Sequence, residues 1–399
     1  MTDSSANSPV VPKVSIDWYR TTPWWRLASQ SVVISWRSSH VLLCAAAILA
    51  TSAIVNLSAY IFGIEELGTE SAWGRPSGAN TMLGPSFFSE NPINVLESTY
   101  GMYLGPVYSW LASPTLNGTA HAVASMIGII AIWSYAGGCI ARRSVVELGT
   151  NMTTTWTDVL MLVKSRWQSI AWSMTMPSGV ICMLMLMPLV IGWISNIPAV
   201  GPWIAGLLLI PTVFLSIAIG WCAAITIFGF PLSVCAIVSE KQADAYDGVS
   251  RSAAYTFQRP VTLVLCVVVA QLFGSVVGQI ITMVFGTGYK VIGTAFDIGS
   301  ISSLTTLDTF WAELVRGIIP LLISAFCFSY FWTASSATYL ILRRDVDHTE
   351  FDSIDMNVAS EPKALPDLPS KESIEKETSS SSKAAIDQSP ETVNPPEST

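Results

Sequence analysis

Long uninterrupted runs of apolar residues dominate the pattern along this chain. A helix needs about 20 apolar residues to cross the hydrocarbon core of a bilayer. Five runs meet that requirement directly, and a sixth is longer. The predicted spans, numbered one to six, cover residues 41–62, 122–140, 179–194, 202–238, 261–285 and 317–342. The pattern therefore predicts an all-α integral membrane bundle of six transmembrane helices, with residues 41–344 as the transmembrane domain.

The run at 202–238 is long enough to raise the alternative of two crossings. Two full spans and a turn need more residues than it contains, and no polar turn interrupts it. We therefore expect one long helix, bent at Pro231, whose ring removes a backbone donor. Residues 196–201, which include Pro198 and Gly201, are predicted to form a tight hairpin between spans three and four.

Three further segments have the composition or spacing of interfacial helices. Residues 18–36, in the segment 1–40, combine Trp with Arg, which favours a helix at headgroup level or one that docks a partner. Apolar residues in 93–110 predict a helix in the outer interface, or one that lines a lipid or ligand groove. A third stripe predicts a helix on the inner membrane surface, begun by the capping box Thr155-x-x-Asp158. It consists of Trp156, Val159, Leu160, Val163, Trp167, Ile170 and Ala171.

Composition supports the membrane prediction and isolates the C-terminal tail. Only 12% of residues are charged and mean hydropathy is +0.50, whereas soluble domains carry about 25% charged residues. Residues 345–399 hold 13 acidic and 4 basic residues, a net charge of −9, so the other 344 residues carry 15 acidic and 16 basic, a net charge of +1. We expect 345–399 to be a disordered, solubilising tail, with phosphorylation or protein docking as alternatives.

The distribution of Lys and Arg predicts the orientation. With the N-terminus inside, the inner segments outside the tail hold thirteen basic residues and the outer segments hold three, Arg75, Lys290 and Arg316. Cytoplasmic loops carry the excess of Lys and Arg. Both termini are therefore predicted to be cytoplasmic.

No residue pattern predicts catalysis, a metal or a cofactor. The predicted spans contain no Asp, Glu, Lys, Arg or His, which lowers the expectation of proton or ion coupling. His40, His121 and His348 are the three histidines, and we expect no Ser/His, paired-Asp or metal-ligand constellation at one depth. The seven cysteines lie in apolar stretches, so disulfides and zinc are not expected. The expected partners are the lipid bilayer and a cytoplasmic or membrane protein, not nucleic acid.

Two rows of small residues are predicted helix-packing seams. Gly274 and Gly278 form a small-xxx-small motif in span five, and Ser216 and Gly220 form a similar row in span four. Small residues let helix backbones approach closely in a membrane. Packing within one chain is the first interpretation and a homodimer face the second, which leaves the oligomeric state open.

The loop between spans four and five carries the densest pattern of polar residues. Asp247 and Arg251 stand four residues apart, which predicts an ion pair on a helix surface. Pro260 is predicted to begin span five. The candidate interaction residues of this loop are Glu240, Asp247, Gly248, Ser250, Arg251, Arg259 and Pro260.

The same loop contains a succession of short motifs. They are Gly-Phe-Pro-Leu from Gly229, Ser239-Glu240, Asp-Ala-Tyr-Asp-Gly-Val-Ser-Arg-Ser from Asp244, Tyr255 and Gln-Arg-Pro ending at Pro260, with an Ile-Ala-Arg turn at 140–142. This succession resembles an uncharacterised family of bacterial multi-pass membrane proteins. That family is distantly similar to the membrane domain of glycerophosphodiester phosphodiesterases. The resemblance implies a fold and a location in the bacterial inner membrane, and no activity.

A second resemblance is to ABC importer permeases, whose cytoplasmic EAA loop docks an ATPase. Asp-Gly-Val-Ser from Asp247 and the later Pro260 are similar to that loop, but Gln242 stands where its Glu is expected. The predicted function is a non-enzymatic scaffold, assembly factor or regulator. The alternatives are a permease subunit that uses the 240–260 loop to dock an ATPase, and an intramembrane enzyme.

Overall fold

The computed structural model describes residues 23–64, 101, 103–110, 114–198, 200–241, 243–299 and 306–354. Every regular element in these ranges is helical. The elements are α1 Pro23–Ser35, α2 Ser38–Ile61, α3 Leu116–Thr150, α4 Trp156–Ser195, α5 Gly201–Ala224, a π turn Ile225–Gly229, α6 Phe230–Ser239, α7 Ala245–Gln258, α8 Pro260–Gly299 and α9 Thr306–Asp347. The predictions for residues 1–22, for 65–100 and for the tail from 355 onward lie outside the described residues.

Six helices are long and apolar enough to cross a membrane, which fits a membrane protein. They are Ser38–Ile61, Leu116–Thr150, Trp156–Ser195, Gly201–Ser239, Pro260–Ile292 and Gly317–Asp347. The all-α architecture and the number of helices that could cross a bilayer agree with the pattern of apolar runs. The fourth is a single rod of 39 residues, as expected from the absence of a polar turn.

Four of the six helices are much longer than the predicted spans, and those at Ser38–Ile61 and Gly201–Ser239 are nearly the predicted length. α4 has 40 residues and α9 has 42, which at about 1.5 Å per residue is about 60 Å, twice the hydrocarbon thickness of a bilayer. The starts of α2, α4 and α8 come together with the ends of α3, α6 and α9. We call this region, together with α7, the polar end.

A π turn interrupts the fourth rod just before Pro231. It covers Ile225–Gly229, and α6 begins at Phe230 with Pro231 in its first turn. Proline cannot donate to the carbonyl one turn earlier, and a single π turn is a common way for a helix to accommodate such a break. The irregularity expected at Pro231 therefore takes this form.

α6 is the centre of the packed core. Every residue from Pro231 to Ser239 is buried, because α3, α4, α7 and α9 surround the helix. The segment contains no charged residue, as a helix that is hydrophobic on all sides requires.

The helical segment 103–110 inserts an aromatic side chain into the bundle. Tyr103 is 7% exposed. Its ring meets those of Trp133, Phe230 and Phe328 edge-on, with centroid distances of 5.3, 5.7 and 5.7 Å. Within the described part of 93–110, this side chain therefore packs into the bundle, and the position of the helix in the outer interface stays a prediction. Edge-to-face contacts with aromatic residues of three helices draw Tyr103 inward.

The amphipathic stripe at the start of α4 is partly buried within the bundle, while its residues Leu160 and Trp167 are 37% and 40% exposed. The predicted place of this helix on the inner membrane surface stays a prediction. Val159, Val163 and Ile170 are at most 1% exposed, and Val163 and Ile170 pack beside Gly138 of α3. The predicted surface helix and span three are one continuous helix. Thr155 caps this helix, since its Oγ1 accepts from the N–H of Asp158 at 3.3 Å and its hydroxyl donates to Asp158 Oδ2 at 2.6 Å.

α1 also packs on the bundle. Ser31, Ile34 and Ser35 are at most 4% exposed, and Ser329 Oγ of α9 donates to the carbonyl of Ser35 at 2.8 Å. The predicted helix before span one is therefore present over Pro23–Ser35, with one side against α9.

The first residues of the predicted tail are folded. α9 continues to Asp347, and Arg343 Nη2 donates to the carbonyl of Ser353 at 3.0 Å. Arg344 lies 4.9 Å from the ring centroid of Phe351, and Ile354 is 5% exposed because it packs beside Gly149. The boundary at 345 is therefore wrong for residues 345–354, since two apolar side chains supply enough contact to order the turn.

We predict that the tail affects stability only through its first residues. A chain that ends at residue 355 should keep the melting temperature of the full protein in detergent. A chain that ends at 349 should lose about 1–3 kcal/mol, because it exposes the surface that Phe351 and Ile354 cover. Thermal unfolding of the three chains measures the difference, and equal melting temperatures for the two truncations would contradict the contact.

Candidate interaction site at the polar end

Two arginines bind the carbonyl groups at the end of α6. Arg142 Nη1 of α3 donates to the carbonyl of Val238 at 2.8 Å. Arg166 of α4 donates to the carbonyls of Ile237 at 2.5 Å and Lys241 at 2.6 Å, and also to that of Glu240. The last four carbonyls of a helix lack partners inside the helix and carry partial negative charge. The two guanidinium groups satisfy both needs.

Glu240 follows this capped end and binds residues from two other helices. Arg251 Nη1 of α7 contacts Glu240 Oε1 at 2.5 Å, and Tyr339 OH of α9 donates to the same oxygen at 3.4 Å. Arg343 Nε is 3.9 Å from it. The Glu240 side chain is only 14% exposed, so its charge interacts with these partners with little screening by water.

Asp347 makes a second link between α7 and α9. Tyr255 OH donates to Asp347 Oδ2 at 2.5 Å, and Arg251 Nη1 lies 3.9 Å from the same oxygen. Burial, followed by the nearby Tyr339 hydroxyl, raises the pKa of Tyr255 well above its usual value. Tyr255 therefore stays protonated and donates this bond throughout the physiological pH range. Arg251 joins both carboxylates.

The predicted ion pair between Asp247 and Arg251 is replaced by these contacts. Arg251 turns toward Glu240 and Asp347, because two carboxylates beside the bundle compete better than one exposed residue on the same helix. Asp247 lies in the first turn of α7, where its N–H donates to the N-cap side chain of Asp244 at 2.8 Å. Its own charge is favourable there because of the helix dipole.

The remaining loop residues divide between the two faces of α7 and the start of α8. Gly248 is buried and Ser250 is exposed. Arg259 Nε lies 3.5 Å from Asp345 Oδ2, and Pro260 is the first residue of α8, as the sequence predicted. The structure thus brings Glu240 and Arg251 together and leaves Asp247 and Ser250 on the outer surface.

Gly248 allows α7 to lie directly on α6. A Cβ atom at this position would stand 2.7 Å from Ile237 Cγ1 and 3.1 Å from the carbonyl oxygen of Ser233. The second contact is to backbone, which cannot move aside. The glycine that resembles part of the permease EAA motif is therefore used for packing inside this chain.

Sequence reasoning missed several members of this network. Arg166 and Arg343 enter the sequence prediction only through the count of basic residues, Tyr255 only as one residue of the family resemblance, and Tyr339 not at all. Arg142 had a signal in the Ile-Ala-Arg motif, which lies within α3 rather than in a turn. The two segments that carry the family resemblance meet here, since Arg142 contacts the end of α6.

The two predicted packing seams have different surroundings. In span five, Gly274 and Gly278 are buried, and a Cβ on Gly274 would stand 2.6 Å from Tyr330 Cε1 of α9. In span four, Ser216 and Gly220 are exposed, and a Cβ on Gly220 would meet nothing within 4 Å. The row in α5 therefore faces away from the rest of the described chain.

A Ser/His cluster is present, contrary to the expectation of none at one depth. Ser58 Oγ of α2 lies 2.8 Å from His121 Nδ1 and 2.7 Å from Ser125 Oγ, both of α3. All three residues are at most 5% exposed. The expectation was wrong because the relative depth of residues on two different helices cannot be read from the sequence. Buried polar contacts of this kind join neighbouring membrane helices.

The structure shows no group of three or more His, Cys, Asp or Glu side chains placed to hold a metal ion among its described residues. Comparison with protein-family models, with curated proteins and with solved structures finds no match for this chain. The two resemblances drawn from the loop motifs therefore stay predictions.

We predict that two glycines of the fourth rod and its following loop respond oppositely to alanine. Gly248→Ala should cost about 1–3 kcal/mol of stability through overpacking against α6. Gly220→Ala should be neutral or stabilising, since its Cβ meets open space and alanine favours a helix. Both variants gain the same helix propensity, so the difference in detergent melting temperature isolates the contact. Equal melting temperatures would show that α7 does not rest on α6.

Proposed function

We propose that this chain is a multi-pass protein of the bacterial inner membrane, with both termini in the cytoplasm, that acts as a non-enzymatic scaffold or regulator. The thirteen-to-three excess of Lys and Arg on one side supports the orientation. In this orientation the polar end faces the cytoplasm. α7 is the element that it presents to a protein partner.

The two faces of α7 are the observation that carries this proposal. The inner face, formed by Gly248, Ser252, Tyr255 and Thr256, is buried. On the outer face Tyr246 is 66% exposed. Asp247, Ser250 and Arg251 are exposed beside it. A helix held this firmly on one side offers its other side in a fixed geometry.

Fixed geometry favours binding because little conformational freedom is lost on association. Tyr and Arg are also the residues that most often dominate interface energies. Tyr246 is 66% exposed, so packing within the described chain does not account for an aromatic residue at this position. Arg251 is held in place by its ion pair with Glu240. The outer face of α7 therefore combines a free aromatic residue with a positioned cation.

The permease alternative uses the same face. α7 is a helix between spans four and five, the position in which an importer permease docks its ATPase. The burial of Gly248 against Ile237 favours the scaffold, because that glycine already serves packing within the chain. An ATPase as the bound partner would reverse this preference.

We predict that a photo-crosslinking amino acid at position 246 in living cells forms one discrete adduct with a cytoplasmic or membrane protein. The same amino acid at Met161 of α4, which is 58% exposed, serves as the matched control and should form none. Mass spectrometry of the adduct identifies the partner class. Absence of an adduct at 246, or an identical set at both positions, contradicts the docking role.

Labelling of a cysteine at position 246 also tests the proposed orientation of the chain in the membrane. A cysteine at 246, in a chain without the seven native cysteines, should resist an impermeant maleimide in intact cells and react after the inner membrane is opened. Labelling in intact cells would place α7 on the outer side and refute the cytoplasmic docking role.

A further inference from the structure

A second polar cluster lies where α2 begins, between α2, α3 and α4. α2 starts at Ser38, and its N-cap residue Arg37 makes no side-chain cap hydrogen bond. The first N–H groups of a helix carry partial positive charge and lack partners within the helix. The N–H groups of His40 and Val41 bond to the carbonyl of Arg37, so those of Ser38 and Ser39 are the ones left for an acceptor from outside the helix.

Two arginines add positive charge at the same place. Arg143 Nη1 donates to Ser39 Oγ at 3.2 Å, which puts the guanidinium at the first turn of α2. Arg37 is the N-cap residue and pairs with Glu147. Two arginines against one carboxylate leave the cluster with an excess of one positive charge.

His40 is a second, independent feature of this cluster. It is 0% exposed, and both of its ring nitrogens are buried without a hydrogen-bond partner in the part of the chain that the structure describes. An imidazole always has at least one N–H to donate, and a buried donor without a partner is costly. As the third residue of α2, it directs its side chain back toward the start of the helix.

The unsatisfied donors converge on Trp156. The ring of His40 stands edge-on to that of Trp156, with centroids 6.1 Å apart, and Arg143 Cζ is 4.7 Å from the same ring. Arg143 Nε is also buried with no hydrogen-bond partner among the described residues. The start of α2, an imidazole and a guanidinium therefore offer donors around one tryptophan.

We propose that this cluster binds a phosphate group. Arginine and helix N-termini are the usual ligands of phosphate oxygens in proteins, and tryptophan favours the headgroup level of a membrane. Glu147 Oε2 is buried without a partner in the described residues, which suits a hydroxyl or ammonium donor next to the phosphate. A lipid headgroup carries both groups, and free inorganic phosphate carries the first.

The test is a titration of the delipidated protein in neutral detergent, followed by its melting temperature. The probes are phosphatidylglycerol micelles, phosphatidylcholine micelles, inorganic phosphate, and oleate as an anion without phosphorus. Arg143→Gln should weaken the response to phosphate-bearing probes by about tenfold or more, the usual effect of losing a charge-assisted bond. Lys164→Gln removes the same charge from an exposed position at this end and should leave it unchanged.

His40→Leu keeps the proposal falsifiable if Arg143→Gln fails to fold. It replaces a buried polar side chain by an apolar one of similar size, so the protein should fold while its phosphate response falls. A response to lipid alone assigns the site to a headgroup, and an equal response to inorganic phosphate assigns it to the free ion. No response, an equal response to oleate, or an equal loss in Lys164→Gln overturns the proposal.

Discussion

A helix that is buried on every side still ends in carbonyl groups that require hydrogen-bond donors. α6 is such a helix, since all residues from Pro231 to Ser239 are buried. The N–H of Glu240 serves the carbonyl of Ala236, and the carbonyls of Ile237 and Val238 need donors from elsewhere. Arg142 and Arg166 supply the donors from two different helices. Each arginine thereby connects its own helix to α6. The end of α6 is the point at which α3, α4 and the following loop meet.

The position of α7 follows from this constraint. The chain leaves the capped end at Glu240, whose side chain binds Arg251, and α7 then returns over α6 with Gly248 against Ile237. Tyr255 and Asp347 connect α7 to α9. Because these contacts occupy the inner face of α7, its outer face, with Tyr246, is left exposed. The same short helix therefore has one face that packs in the bundle and one face that is exposed.

Much of the fold could be predicted from apolar runs, because a bilayer selects for length and hydrophobicity in one segment at a time. The single helix over residues 202–238, for example, was predictable from the length of its apolar run and the absence of a polar turn. Contacts between distant segments were not predictable. An apolar stripe such as the one around Val163 is equally compatible with a membrane-facing and a protein-facing helix. The sequence likewise does not determine which carboxylate pairs with Arg251, since Asp247 was predicted and Glu240 and Asp347 are observed. Arg142 was noticed through a motif, but its role depends on a carbonyl 96 residues away.

Amide hydrogen exchange over residues 237–258 tests the central role of the arginine caps most directly. Arg142→Ala and Arg166→Ala each leave buried carbonyls without donors, at a cost of about 1–3 kcal/mol per group. We expect exchange in α6 and α7 to accelerate in both variants and to stay unchanged in Lys164→Ala, an exposed neighbour on α4. Unchanged exchange in the two arginine variants, or equal acceleration in all three, would contradict the account.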